Sequence, residues 1–222
     1  MIITIDGHAG SGKSTAARHL ADALGFELLN TGAMYRATAH ALTAAGIDID
    51  ADPRDAARIA ALVGPFTFDL AGGRCRLNGT DLTDQIQSED HGRAASRVGT
   101  FLEVRRKLQA EQRRLAADRN VICEGRDQGT VVFPDAPAKF FFTASAPERA
   151  RRRAAELRMG DDPATLDRLA AQIAARDEQD EMRALDPLCR PAGAVVVDTS
   201  VLSPDRVLAA MLEAVATCHP PT

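Results

Sequence analysis

The 222-residue chain carries 27 Lys and Arg against 31 Asp and Glu, a formal charge of −4 at pH 7. That balance excludes a general nucleic-acid binder, which needs a basic excess, while clustered arginines still leave room for a local anion site. With 45% apolar residues and no apolar run near ~18 residues, the chain reads as globular, without a membrane span.

Ile2–Ile5 is a continuous apolar run, which marks a strand buried on both faces as in a parallel sheet. It leads into Gly7-His8-Ala9-Gly10-Ser11-Gly12-Lys13-Ser14, which satisfies GxxxxGK(S/T) and opens an amphipathic helix. The glycines let backbone N–H groups turn inward around phosphate oxygens, and the helix adds its positive N-terminal end. Lys13 is expected to reach the β- and γ-phosphates, the Ser14 hydroxyl to meet Mg²⁺, and Thr15 to close the binding loop. The expected ligand is ATP.

Glu27–Leu29 is a weaker strand, and Asp52-Pro53 sets an N-cap oxygen before a first-turn proline. Phe66 to Leu77 reads as a hairpin around Ala71-Gly72-Gly73, so residues from about 46 to 90 are expected to form a small lobe beside the main sheet. Val121–Cys123 and Lys139–Thr143 continue the buried strands. Ser145-Ala146-Pro147-Glu148 has capping-box spacing and opens a helix bearing Arg149, Arg151, Arg152 and Arg153. At about 100° per residue those arginines fan round the helix, which then suits core packing poorly. Two readings stand: a solvated face with Arg152–Glu156 pairing at i,i+4, or a mobile lid, about residues 146–161, closing over phosphates. Asp162-Pro163 and Ser203-Pro204 start two more helices, with the strand Ala194–Val197 between them. Strands separated by such helices predict a three-layer α/β/α sandwich.

No Asn-Lys-x-Asp motif is present, which disfavours GTPases, and no apolar run ends in Asp-Glu as in many motor ATPases. Transfer between two polyanions needs positive charge at the meeting point. Arg36, Arg105, Arg126, Arg176 and Arg183 are candidates, with the arginines of the 149–153 helix.

Longer segments narrow the reading. They are Leu28-Leu29-Asn30-Thr31-Gly32-Ala33-Met34-Tyr35-Arg36, Asn78-Gly79, Ala94-Ala95-Ser96, and the run from Glu124-Gly125-Arg126-Asp127 to Asp135-Ala136. Arg176-Asp177, Asp180, Arg183 and Pro187-Leu188 complete the set. In this order they resemble the bacterial cytidylate kinase family over nearly the whole chain. The resemblance implies a P-loop NTPase fold with a central parallel five-stranded sheet, an inserted NMP-binding lobe and a helical lid. The core would be residues 1–45, 91–145 and 162–222. It also implies ATP and Mg²⁺ as donor, and CMP or dCMP as acceptor. Thr31, Tyr35 and Arg36 would line the acceptor pocket, with Arg36 on the acceptor phosphate. Ser96, Arg105, Arg126 and Asp127 would recognise cytosine or orient the nucleotide, Arg176 and Asp180 would sit near the sugar, and Arg183 near the phosphates. Lys13, Arg126, Arg183 and Arg153 are the expected catalytic charges. Glu124 departs from the more frequent Asp of the family, Gln128 from an apolar residue and Gln87 from Arg.

Cytosine offers an exocyclic amine, a ring nitrogen and a carbonyl, which a hydroxyl, a carboxylate and a guanidinium satisfy; Ser96, Asp127 and Arg126 carry those groups. Blander readings stand beside these. Tyr35 fits an amphipathic core position, Arg126–Asp127 a structural ion pair, and Asp180–Arg183 an i,i+3 pair. A kinase acting on an alcohol, with Asp127 or Glu124 as base, is the competing enzyme. An RNA-associated module is opposed by the net charge, the absence of Trp and the single Tyr. Four scattered cysteines and no basic leader predict a cytoplasmic protein with reduced thiols. It is expected to be a monomer without nucleic-acid or membrane partners.

Overall fold

The computed structural model describes residues 1–50 and 56–218; the Asp52-Pro53 helix start lies outside the described residues. Every strand expected from an apolar run is present. They are β1 (Ile2–Gly7), β2 (Glu27–Asn30), β6 (Val121–Gly125), β7 (Ala138–Thr143) and β8 (Val195–Asp198). They form one five-stranded parallel sheet in the order β2-β6-β1-β7-β8, flanked by helices. β1 pairs with β7 in a register that sets Ile5 opposite Phe140 and Gly7 opposite Phe142. β1 and β6 run past their apolar stretches into Asp6-Gly7 and Glu124-Gly125, so polar groups stand at strand ends. Such carboxyl ends are where open α/β sheets bind ligands.

The chain divides into two compact units, Met1–Phe26 with Ile122–Thr222, and Glu27–Val121. The first is built on Ile3, Ile5, Ile122, Phe140 and Phe142, all nearly free of solvent contact. Burying each such side chain stabilises by about 1.5–3 kcal/mol. Continuous burial holds for β1 and β6. At the sheet margin it fails: Val195 and Val196 of β8 remain 45% and 44% exposed.

Helices α1 (Lys13–Leu24), α6 (Ala146–Glu156), α7 (Pro163–Met182) and α8 (Pro204–Cys218) belong to this unit. Asp162 caps α7 by accepting the Thr165 N–H at 3.0 Å. Ser203 accepts the Arg206 N–H at 3.4 Å. The capping box at Ser145 does not form. Its backbone N–H donates instead to Ser200 Oγ at 2.9 Å, while Glu148 is drawn to Arg152 and Arg151. Charged partners outcompete a neutral amide for the carboxylate.

The arginine-rich helix is not polar all round. Ala150 and Ala154 of α6 are buried against Leu169 of α7, with Leu157, Leu166 and Ala170 packed on them. Two alanines one turn apart make the seam, and arginine stems rise on either side of it. Arg152 pairs with Glu148 rather than Glu156; Glu156 takes Arg153 at 3.0 Å.

The second unit holds α2 (Thr31–Ala44), α3 (Ala56–Val63), α4 (Glu89–Val98) and α5 (Leu102–Ala116), with three short strands. These are β3 (Phe68–Asp69), β4 (Arg76–Leu77) and β5 (Thr80–Asp81), all antiparallel. The predicted hairpin thus gains a third strand, turned at Asn78 and Gly79 with φ of 51° and 82°. Asn-Gly is the residue pair that such two-residue turns select. The α5 side chains Glu111 and Arg114 hold the Phe68 N–H and C=O, at 3.3 and 2.8 Å, tying this small sheet to its helix.

Candidate active site

At Gly7 the chain leaves β1 with φ 142°, and a Cβ there would lie 2.1 Å from the Phe142 carbonyl oxygen. Only glycine fits. The loop then turns through Gly10 and enters α1 at Gly12, whose left-handed backbone (φ 84°) provides no side-chain cap. The first amides of α1 are therefore left for an anion.

Lys13 is buried, and its Nζ donates to the His8 carbonyl at 2.5 Å and to Ser11 Oγ at 3.4 Å. The Thr199 hydroxyl donates to the Ser11 carbonyl at 2.9 Å, and Arg152 in turn bonds Thr199, so the loop is braced from behind. Burial drives the Lys13 ammonium well below its ordinary pKa, and the Arg126 and Arg176 charges push the same way. Glu124 and Asp180 oppose them. All four of these groups, Glu124, Arg126, Arg176 and Asp180, come from the long sequence segments.

Ser14 Oγ lies 2.9 and 2.8 Å from the two oxygens of Glu124. A hydroxyl beside a carboxylate is a hard-oxygen donor set that fits Mg²⁺, which takes few protein ligands and completes its shell with phosphate oxygens and water. Among the described residues no group of three acidic, His or Cys side chains could hold a metal alone.

Arg126 donates through Nε to Asp180 Oδ2 at 2.9 Å, and Arg183 approaches Asp180 Oδ1 at 3.7 Å. Burial would raise the Asp180 carboxyl, but Arg126, Arg176 and Arg183 together hold it below the usual carboxylate range. The Asp180–Arg183 pair at i,i+3 is therefore real, and Arg126 joins it. Asp127 is buried immediately before a tight turn, Gln128–Val132. Arg153 is half-buried and bonded to Glu156.

In the second unit, Thr31 is buried at the start of α2, where Asn30 caps the helix by accepting the Ala33 N–H at 3.0 Å. Tyr35 lies one turn beyond Thr31 on the same helix face, followed by Arg36; both are half-buried. Ser96 is half-buried on α4. Arg105 of α5 is 2% exposed and donates to the Gly99 carbonyl at 3.1 Å.

Some groups at the loop escape a reading of the sequence. Asp6 is fully buried and accepts the Gln128 and Gly129 N–H groups at 2.8 and 2.7 Å. Burial pushes its pKa up to about 6 against those two bonds. A lone acid ending an apolar strand was the available signal, because a buried carboxylate needs partners. Thr199, and the Arg149–Asp177 pair beside Ala9, had no local signal at all.

The family model described as cytidylate kinase matches residues 3–217. The cytidylate kinase of Nitratidesulfovibrio vulgaris (strain DP4) is 44% identical over 215 residues, covering 96% of this chain and 91% of that protein. That of Pseudomonas syringae pv. tomato is 42% identical over 217 residues, covering 97% and 95%. Among solved structures, an uncharacterized protein from Eubacterium ventriosum matches with a TM-score of 0.52 at 11% identity, over 96% of each chain. TT1252 from Thermus thermophilus gives 0.50 at 22% identity, over 100% of this chain and 98% of that one. At those identities the two structures speak for the fold alone.

Proposed function

The chain belongs to the cytidylate kinase family, and from that premise we propose that it moves the γ-phosphoryl group of Mg·ATP to CMP or dCMP. The products are ADP and CDP or dCDP. An oxygen of the acceptor α-phosphate forms the new bond to Pγ, and the bond from Pγ to the β,γ-bridging oxygen breaks. That acceptor oxygen is already anionic, so no general base is needed.

The observation that supports this reading best is the glycine loop itself, with Lys13 buried in it, the Ser14 hydroxyl 2.9 and 2.8 Å from the Glu124 oxygens and the Arg126–Asp180 pair bonded at 2.9 Å. Lys13, Arg126, Arg183 and Arg153 neutralise charge as it moves from donor to acceptor. Ser14 and Glu124 would hold Mg²⁺, which supplies charge neutralisation on the β- and γ-phosphates when bound. The backbone of residues 7–15 cradles the triphosphate. Arg36 takes the acceptor phosphate beside Thr31 and Tyr35. Ser96, Arg105, Arg126 and Asp127 read the cytosine or orient the nucleotide, while Arg176 and Asp180 serve the sugar.

A site built to bond the cytosine amine rejects uracil, because its buried acceptor is left unpaired. The residues around 146–161 act as the lid that excludes water from the transfer. We place the enzyme in the cytoplasm as a monomer, where its four scattered cysteines would serve as reduced thiols. No described helix is long and apolar enough to cross a membrane.

An ADP-release assay across CMP, dCMP, UMP, AMP, shikimate and gluconate tests the assignment. CMP and dCMP should lead the panel. A preference for an unphosphorylated alcohol would overturn it.

A further inference from the structure

The phosphate loop holds Gly7, Gly10 and Gly12, all at positive φ, and so has much freedom to lose on binding. Helix α7 grips it at two successive residues. The Asp177 carboxylate accepts the Ala9 N–H at 3.3 Å and, through its other oxygen, an N–H of Arg149. The same Arg149 nitrogen donates to the Ala9 carbonyl at 3.2 Å. Both backbone polar groups of Ala9 are thereby occupied by one buried ion pair.

One helical turn along α7, Glu181 meets His8 Nε2 at 2.7 Å. Asp177 and Glu181, at i and i+4, share the helix face that meets the loop. Helix α6 backs the same segment: a Cβ on Gly10 would lie 3.3 Å from the Arg149 Cβ. Arg149 Nε is buried and has no partner among the described residues, so part of this guanidinium is left unspent. A buried ion pair is a costly way to gain stability; it is better suited to fixing geometry.

We infer that Asp177 is a positioning residue for the triphosphate: together with Arg149 it holds the Ala9 backbone so that the loop is ordered before the nucleotide arrives. This rests on the reading of the loop as the ATP site. Preorganisation lowers the ordering cost on binding, so its loss should appear in ATP affinity before it appears anywhere else. The acceptor nucleotide has no part in the contact, and its KM should not follow.

The test measures binding of a non-hydrolysable ATP analogue with Mg²⁺ by calorimetry, alongside kcat and the KM for ATP and for CMP. Variants are Asp177→Ala, Asp177→Asn, Arg149→Met and the Asp177→Ala/Arg149→Met double, each checked for cooperative melting. Losing a charge-assisted contact predicts analogue binding about tenfold weaker in Asp177→Ala, with KM for ATP raised in proportion and KM for CMP within about twofold. Asp177→Asn keeps an acceptor for the Ala9 N–H and should lose about threefold. The double variant should bind no worse than the weaker single, as partners in one contact do.

Analogue binding within about twofold of wild type in folded Asp177→Ala would overturn the inference, as would an equal rise in KM for CMP. If Asp177→Ala does not fold, Asp177→Asn decides, and unchanged analogue binding in it is fatal. Analogue binding needs no acceptor. A wild-type protein that binds the analogue yet phosphorylates no CMP would therefore sink the acceptor assignment and leave this inference intact. One that does not bind it sinks both.

Discussion

The Ser14 hydroxyl sits 2.9 and 2.8 Å from the two carboxylate oxygens of Glu124, across 110 positions of sequence. The first turn of α1 and the end of β6 thereby present two hard-oxygen ligands side by side. Both Glu124 oxygens lie within hydrogen-bond reach of the hydroxyl.

Glu124→Gln keeps the shape and the hydrogen bond but removes the charge that a divalent cation needs. The Mg²⁺ concentration for half-maximal rate should rise by about 10–100-fold, the usual scale for groups that support a metal site. Initial rate against free Mg²⁺ at saturating ATP measures it. An unshifted curve would remove Glu124 from the metal site.

Lys13 is held well below its ordinary pKa by burial and by neighbouring guanidinium groups. A bound triphosphate reverses that balance, because its negative charge favours the ammonium form. ATP binding should therefore take up a proton once the pH exceeds the lowered pKa of the free protein. Calorimetry in buffers of different ionisation enthalpy reads this directly, and Lys13→Met should abolish it. The same depression makes the folded protein bind fewer protons than the unfolded chain between the lowered pKa and ~10.4, so this group's contribution to stability increases with pH across that window.

Burial pushes the Asp6 carboxyl up to about 6 in the folded protein, above the ordinary aspartate value of ~3.9. The folded state therefore holds more protons between those values, and this residue's contribution to stability falls as pH rises through them. Asp6→Asn removes the buried charge, yet turns one of two acceptors into a donor facing a backbone N–H. We expect a net loss of about 1–3 kcal/mol at pH 7, read from denaturant unfolding, since an unsatisfied buried donor costs that much. A variant as stable as wild type would show that relief of the charge dominates.

Asp180 presents the opposite sign. Against its burial, Arg126 holds its carboxyl below the usual range, helped by Arg176 and Arg183. Its stabilising contribution is complete above the unfolded pKa of ~3.9 and is lost as pH falls through the lower folded value. Arg126→Met removes the closest partner and should move the acid-unfolding midpoint to higher pH. An unmoved midpoint would mean that Arg176 and Arg183 suffice.

Much of the fold was legible because its signals are local. Ile2–Ile5 and Val121–Cys123 are strands whose burial needs only apolar runs, and Asp162 caps α7 through an oxygen three residues from its donor. The β4–β5 turn was equally local: Asn78-Gly79 carried the signal, and the third strand beyond it went unread. On α6, by contrast, composition misled. Four arginines mask the apolar face formed by Ala150 and Ala154, whose small side chains let the helix lie close against Leu169.

By itself the sequence determined the strands, the glycine-bearing loop and the identity of the charged groups, because periodicity, φ preference and capping act within a few residues. Only tertiary structure decided which charges are partners. Arg149, Arg151, Arg152 and Arg153 are chemically alike and adjacent, yet packing of the alanine seam buries Arg149 beside Asp177 and Ala9 and leaves Arg151 exposed with Glu148. Ser14 with Glu124, and Arg126 with Asp180, are likewise matched by the sheet and by α7, since a Coulombic attraction has no sequence register and takes effect only where the fold brings two side chains within a few ångströms.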